Sequence, residues 1–180
     1  WAAVNRMGDV NRSRKHTSLA FKHYQAVLQD MESHADKSDQ SIYRLLKFQS
    51  INDLSLVYYG MDEHEKAMET VQIVLSEATE QENYEIARTY QNLACFTMEL
   101  KDYEKTEKHL DSAGMIFTKE RYPTNWIYLE LDRIDLQLKS GELSSTETLL
   151  NEIEEVATSI GSEAGLYLTW KFKKNYYSRV

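Results

Sequence analysis

Apolar residues along the chain recur three and four apart, the spacing that lays a single stripe along an α-helix. Ile51, Leu54, Val57 and Tyr58 form such a stripe, a polar turn follows at Met61-Asp62-Glu63, and Ala67, Val71, Val74 and Leu75 begin another. The arrangement then returns: Tyr90, Leu93, Ala94 and Phe96 precede a turn at Lys101-Asp102, with Leu110, Ala113 and Met115 beyond it. Leu54 recurs as Leu93 and Ala67 as Thr106, both 39 residues later, so the repeated unit is a whole helix-turn-helix. A third copy has Ile127, Leu131, Ile134 and Leu138 before Gly141-Glu142-Leu143, with Thr146, Leu150 and Ile153 after it; Thr146 lies 40 residues beyond Thr106. Ahead of the first copy, Ala20, Tyr24, Val27 and Leu28 carry a second-helix pattern. Ala20 is 47 residues from Ala67, which predicts an insertion over the polar residues 33–40 and an upstream turn at Gly8-Asp9-Val10. Trp170 and Tyr177 open a further first helix.

These residues resemble the tetratricopeptide repeat, whose first helix carries an aromatic, Leu, a small residue and Tyr, and whose second carries Ala, a large apolar residue and Ala. Tyr90, Leu93, Ala94, Tyr103, Leu110 and Ala113 match, as do Leu54, Ser55, Tyr58, Ala67 and Val71. Thr97 stands where Tyr is expected and Thr106 where Ala is expected. The stripe from Ile127 to Leu138 is about one turn out of register with the motif, which predicts a lengthened helix. The resemblance implies an all-α fold, a right-handed superhelical solenoid of antiparallel helix pairs. Its units are roughly 1–38, 40–80, 83–121 and 124–160, with a partial unit at 162–180. A helix pair has too little apolar area to offset a chain entropy of roughly 1–2 kcal/mol per residue, so pairs must stack. The 39–40-residue period matches the long-helix variant found in bacterial signalling proteins. These include Rap- and PlcR-type peptide receptors and the repeat regions preceding GGDEF-type diguanylate cyclases.

Composition narrows the field. One Pro and six Gly in 180 residues leave little material for the corners of an all-β fold. A single Cys cannot form an intrachain disulfide and fits a reducing, cytoplasmic compartment. A net charge of -8 would repel a phosphate backbone, so nucleic acid is not an expected partner. No apolar run approaches a membrane span, so no membrane association is expected. The start at Trp1, with no initiator Met and no signal-peptide pattern, reads as a piece cut from a longer protein. Trp170, Phe172, Tyr176 and Tyr177 are expected to want a further covering element.

Catalytic chemistry finds no foothold in the pattern. His16, His23, His34, His64 and His109 fall in different units, none at the i, i+4 spacing of a helical metal pair, so no metal and no cofactor is expected. The acidic runs 77–85 and 152–155 read as solvated helix faces, and the basic aromatic run 171–177 as repeat packing. Arg12 to Lys15 read as a solvated basic linker, with contact to an acidic partner or a preceding domain as the alternative. The resemblance implies that a ligand lies on a concave face lined by first-helix residues. Here these are Asn52, Leu56 and Tyr59; Arg88, Gln91, Cys95 and Met98; Tyr128 and Asp132; and Lys171 and Asn175. Side-chain amides can pair with both groups of an extended backbone, so the expected partner is a protein or peptide, bound without catalysis. The peptide-receptor reading and a structural or dimerisation spacer ahead of an output domain are the alternatives. Any homodimer is expected through the exposed terminal helices.

Overall fold

The computed structural model describes residues 40–180 together with residues 20–22, 24, 25, 28 and 29. The turn at 8–10, the basic run at 12–15, the insertion at 33–39, Val27, His16, His23 and His34 lie outside the described residues. Every regular element among the described residues is helical: α1 (Gln40–Gly60), α2 (His64–Glu77), a short 3-10 turn (Glu80–Glu82), α3 (Asn83–Glu99), α4 (Tyr103–Gly114), α5 (Pro123–Ser140), α6 (Thr146–Ser159) and α7 (Glu163–Tyr177). Residues 20–22, 24, 25, 28 and 29 are also helical. Two compact units result, Trp1–Phe96 and Thr97–Val180, and the chain passes between them inside α3.

The three first-to-second-helix turns share one backbone device. Asp62, Lys101 and Gly141 all have left-handed φ, at 63°, 60° and 86°. The Asp62 and Glu63 N–H groups donate to the carbonyls of Tyr59 and Tyr58, both at 3.0 Å, and those of Lys101 and Asp102 to Met98 and Thr97, again both at 3.0 Å. Such paired bonds satisfy carbonyls that the helix end leaves open. Gly141 closes its helix with one bond, to the Gln137 carbonyl at 2.9 Å. Glycine alone takes this φ without the roughly 1–2 kcal/mol penalty of a Cβ, so the first two turns are held by the helices packed on either side. Asp102 then caps α4, accepting from the Lys105 N–H at 3.3 Å.

In the first unit α1 packs on α2. Leu56, Tyr59, Ala67, Val71, Leu93, Cys95 and Phe96 form one buried cluster, with Tyr58, Met68, Leu75 and Tyr90 against it. Tyr59 stacks on Phe96 with ring centroids 5.1 Å apart. Phe48, Ile51 and Val74 form a second cluster reached by Leu28, while Phe21 meets Tyr58 edge-on at 5.4 Å. Phe21 therefore packs on α1, and Leu28 on the cluster that α1 and α2 share.

In the second unit α5 is central, packed on α4, α6 and α7. Ile127, Leu129, Leu131 and Ile134 are completely buried, and Trp126, Tyr128, Leu136 and Leu138 nearly so. An apolar surface on more than one side is what a helix covered on several sides requires. Gly165 sets the approach of α7: a Cβ there would lie 2.9 Å from Ser162 Oγ and 3.3 Å from Ile127 Cγ2. Ser162 Oγ instead accepts from the Gly165 N–H at 3.2 Å and caps the helix.

Candidate functional site

The polar residues expected on a ligand face meet each other between α1 and α3. Asn52 is completely buried, Gln91 is 5% exposed and Arg88 8%. The Asn52 amide donates to Glu85 Oε2 at 2.9 Å and to the Glu85 carbonyl at 3.1 Å. Its side-chain oxygen accepts from the Thr89 hydroxyl at 2.9 Å and from the Asn92 amide at 3.4 Å. Arg88 donates to both Glu85 oxygens, at 3.2 and 3.0 Å, and to Asp53 at 2.8 Å. One arginine thus neutralises a carboxylate on its own helix and another on α1, and the seam is closed by charge-assisted bonds. Donor and acceptor capacity of the Asn52 side chain is used inside the protein.

Leu56, Tyr59 and Cys95 belong to the apolar cluster of the first unit, and Met98 is also buried. Tyr128 is 6% exposed, and burial raises its phenol pKa above the ordinary value. Asp132 is half-buried, whereas Lys171 and Asn175 stand in water on α7. The structure therefore gathers Asn52 with Arg88, and Leu56 with Tyr59 and Cys95. Only Asp132, Lys171 and Asn175 keep appreciable solvent access. Sequence reasoning overlooked Glu85 and Asp53, the two acids that complete the buried network. Their signal was the spacing: Glu85 lies one helical turn before Arg88.

The acidic runs are paired rather than merely solvated. Glu77 meets Lys47, Glu82 meets Arg44, Glu152 meets Lys119 and Glu154 meets Lys173, at 2.6, 2.8, 2.9 and 2.7 Å. Glu82 is the most strongly held. Arg44 hydrogen-bonds it, Thr79 donates both its N–H and its hydroxyl, and its pKa falls from 4.5 to about 2 despite burial, which opposes the shift. A carboxyl whose folded pKa is depressed stabilises the fold above its unfolded pKa and loses that contribution as pH falls toward the folded value. Glu82→Gln is therefore expected to lower stability at pH 7 by about 1–2 kcal/mol, less than the full shift would give because Arg44 remains 33% exposed. Urea denaturation as a function of pH checks this: the gap to the parent should close between about pH 4.5 and 2. A constant gap would mean that shape, not charge, matters there.

Two clefts open in the second unit. One of about 280 Å³ lies between α4 and α5, with Tyr103 and Leu136 as apolar walls and Glu107, Arg133 and Gln137 as polar ones. Another of about 310 Å³ is bounded by Phe117, Trp126, Glu130 and Leu149. Burial raises the Glu130 pKa against the pull of Arg133, which also pairs with Asp111 at 3.0 Å. Burial lowers the pKa of His109, which is thereby biased toward the neutral imidazole. Among the described residues no three His, Cys, Asp or Glu side chains are grouped to hold a metal ion, and no helix is long and apolar enough to cross a membrane. Compared with known proteins, the chain matches no family model, no curated protein and no solved structure.

Proposed function

We propose that the chain is a non-catalytic, tetratricopeptide-like array that binds an extended peptide or protein segment along the inner face of its first helices. The observation that carries this reading is the repeat of the hairpin itself. Three turns take the same left-handed conformation at Asp62, Lys101 and Gly141, at the period of the apolar stripes. Within the second unit α5 and α7 begin 40 residues apart and pack on each other, and regular spacing suits the regular backbone of an extended polypeptide. The groove residues with solvent access, Asp132, Lys171 and Asn175, supply a carboxylate, an ammonium and an amide, which recognise the polar groups of a backbone and charged side chains. Asn52 and Arg88 would act indirectly, by fixing α1 against α3.

Panning a displayed library of unstructured peptides on the immobilised chain tests the reading, followed by calorimetry of the enriched sequences. Asp132→Ala and Asn175→Ala are each expected to weaken an enriched peptide at least fivefold, about 1 kcal/mol. Glu107→Ala, on the cleft between α4 and α5, should leave it unchanged. Absence of enrichment, or affinities indifferent to Asp132 and Asn175, would overturn the assignment.

A further inference from the structure

The cleft beside Glu130 is built within the second unit, from α4, α5, α6 and the connection between α4 and α5. Its apolar walls are Phe117, Trp126 and Leu149. Its volume of about 310 Å³ is at the lower end of the range in which small molecules bind, roughly 300–1,000 Å³. Trp126 and Glu130 are four apart on α5 and therefore share a face, and Leu149 and Glu152, three apart on α6, share another. Since α5 packs on α6, each helix brings one apolar residue and one carboxylate to the same place. Trp126 is 9% exposed and Leu149 half-buried.

The two carboxylates are not equally satisfied. Glu152 pairs with Lys119 at 2.9 Å, and the two side chains are 41% and 48% exposed. The Glu130 side chain is only 12% exposed. Its Oε2 accepts from Arg133 Nε at 3.2 Å, and among the described residues Oε1 has no hydrogen bond. Arg133 is itself divided, because its Nη1 donates to Asp111 at 3.0 Å. Four carboxylates, Asp111, Glu120, Glu130 and Glu152, thus stand at or beside the cleft with two cations, Lys119 and Arg133. Burial pushes the Glu130 pKa up, and Glu152 and Asp111 push it the same way, so the pull of Arg133 does not fully compensate the enclosed charge.

Charge and shape decide what fits there. An anion would meet the excess of carboxylates. A neutral apolar molecule would take Glu130 further from water without pairing it. A divalent metal ion needs several ligand atoms, and among the described residues no three His, Cys, Asp or Glu side chains are grouped to supply them. An organic cation satisfies both halves of the cleft, its stem on the walls and its charge on Glu130. A guanidinium fork uses both oxygens of a carboxylate, and Oε2 is already engaged by Arg133, whereas the point charge of an ammonium needs one oxygen. We propose that this cleft binds a primary ammonium ion on an aliphatic stem, carried by a free alkylamine or by a lysine side chain. The ammonium donates to Glu130 Oε1, and the stem lies against Trp126 and Leu149. Asp132 of the peptide groove is two residues from Glu130 and so on another side of α5.

The test follows amide NMR spectra of the full chain at pH 7 and constant ionic strength. The additions are n-butylammonium, N-butylguanidinium, 1-butanol and Nα-acetyl-lysine N-methylamide. Butylammonium is expected to give saturable shifts centred on Trp126, Glu130, Leu149 and Glu152. The neutral 1-butanol should bind at least tenfold more weakly and butylguanidinium at least threefold more weakly. Glu130→Gln should weaken butylammonium at least tenfold, and Asp132→Ala should leave it unchanged, which separates this site from the peptide groove. A lysine derivative that binds at least fivefold more tightly than butylammonium assigns the cleft to a lysine of a polypeptide, and any other order assigns it to a free amine. Should Glu130→Gln fail to keep the parent's circular dichroism and unfolding midpoint, the parent's preference for butylammonium over 1-butanol decides alone. Shifts that do not saturate or that lie elsewhere overturn the proposal. So does a preference over 1-butanol below tenfold, butylguanidinium binding as tightly as butylammonium, or a folded Glu130→Gln chain that keeps the parent's affinity.

Discussion

Arg88→Met is expected to destabilise the first unit by about 3–5 kcal/mol, measured by urea denaturation at pH 7. The methionine stem replaces most of the volume, so the loss is electrostatic. The side chains of Glu85 and Asp53 are 3% and 13% exposed, and that of Arg88, 9% exposed, lies between them. Removing the shared cation leaves two enclosed carboxylates on facing helices, and breaking a buried pair from one side costs far more than the pair contributes net. Two further variants locate the cost. Arg88→Lys keeps the charge, but an ammonium on a flexible stem lacks the planar fork that reaches Glu85 and Asp53 together, so it should recover only part of the loss. Arg88→Met/Glu85→Gln should recover about half, because a neutral amide oxygen still accepts from Asn52 and one of the two charges is gone. A loss below 1 kcal/mol for Arg88→Met would mean that water reaches the seam and that the network is not closed.

The seam also shows where sequence reasoning stops. Periodicity placed the helices and turns well, because apolar spacing and left-handed turn residues are local. The polar runs at Met61-Asp62-Glu63, Lys101-Asp102 and Gly141-Glu142-Leu143 all fall between helices, and the stripe from Ile127 to Leu138 is buried. Burial of a polar residue is a pairwise property. Asn52 and Arg88 look like surface positions until Glu85 and Asp53 are placed opposite them, and nothing local to residue 52 shows that residue 85 will lie 2.9 Å away. The repeat offset carried partial information, since Asn52 aligns with Gln91 and both occupy the face that α5 fills with Leu131. A polar residue at a position elsewhere held by leucine is a sign of an internal network, and that sign was in the alignment of the copies. The exposed aromatics were easier to read. Trp170 and Tyr177 are exposed, whereas Tyr176 is buried and Phe172 half-buried, so the four aromatics expected together to want a cover divide according to which side of α7 faces α5 and α6.

Thr97→Tyr alone is expected to cost about 3 kcal/mol, and Thr97→Tyr/Thr106→Ala far less. The two threonines depart from the repeat pattern together, and the structure gives the reason. Thr97 is 4% exposed and Thr106 completely buried, with their hydroxyls 3.0 Å apart across the hairpin. The Thr106 hydroxyl also donates to the Asp102 carbonyl at 2.9 Å, which leaves it as the acceptor for Thr97. The corresponding pair in the first hairpin is Tyr58 and Ala67, a large ring beside a residue with no side chain beyond Cβ. In the third it is Gln137 and Thr146, where the Thr146 hydroxyl donates to the Gln137 side-chain oxygen at 2.9 Å. One site therefore has several volume-matched solutions. A tyrosine at 97 without a change at 106 drives its ring into the threonine methyl and hydroxyl, an overpacking cost at the upper end of the usual 1–3 kcal/mol. Thr106→Ala alone should cost about 1 kcal/mol, since it removes the buried hydrogen bond between the two hydroxyls. Combined, the alanine makes room for the ring, as Ala67 does for Tyr58, so the double variant should cost about 1 kcal/mol and the double-mutant cycle should return a coupling of about 3 kcal/mol. Additivity within 0.5 kcal/mol would show that the two helices adjust independently at this crossing, and that the hairpins resemble one another in turn geometry without sharing a packing rule.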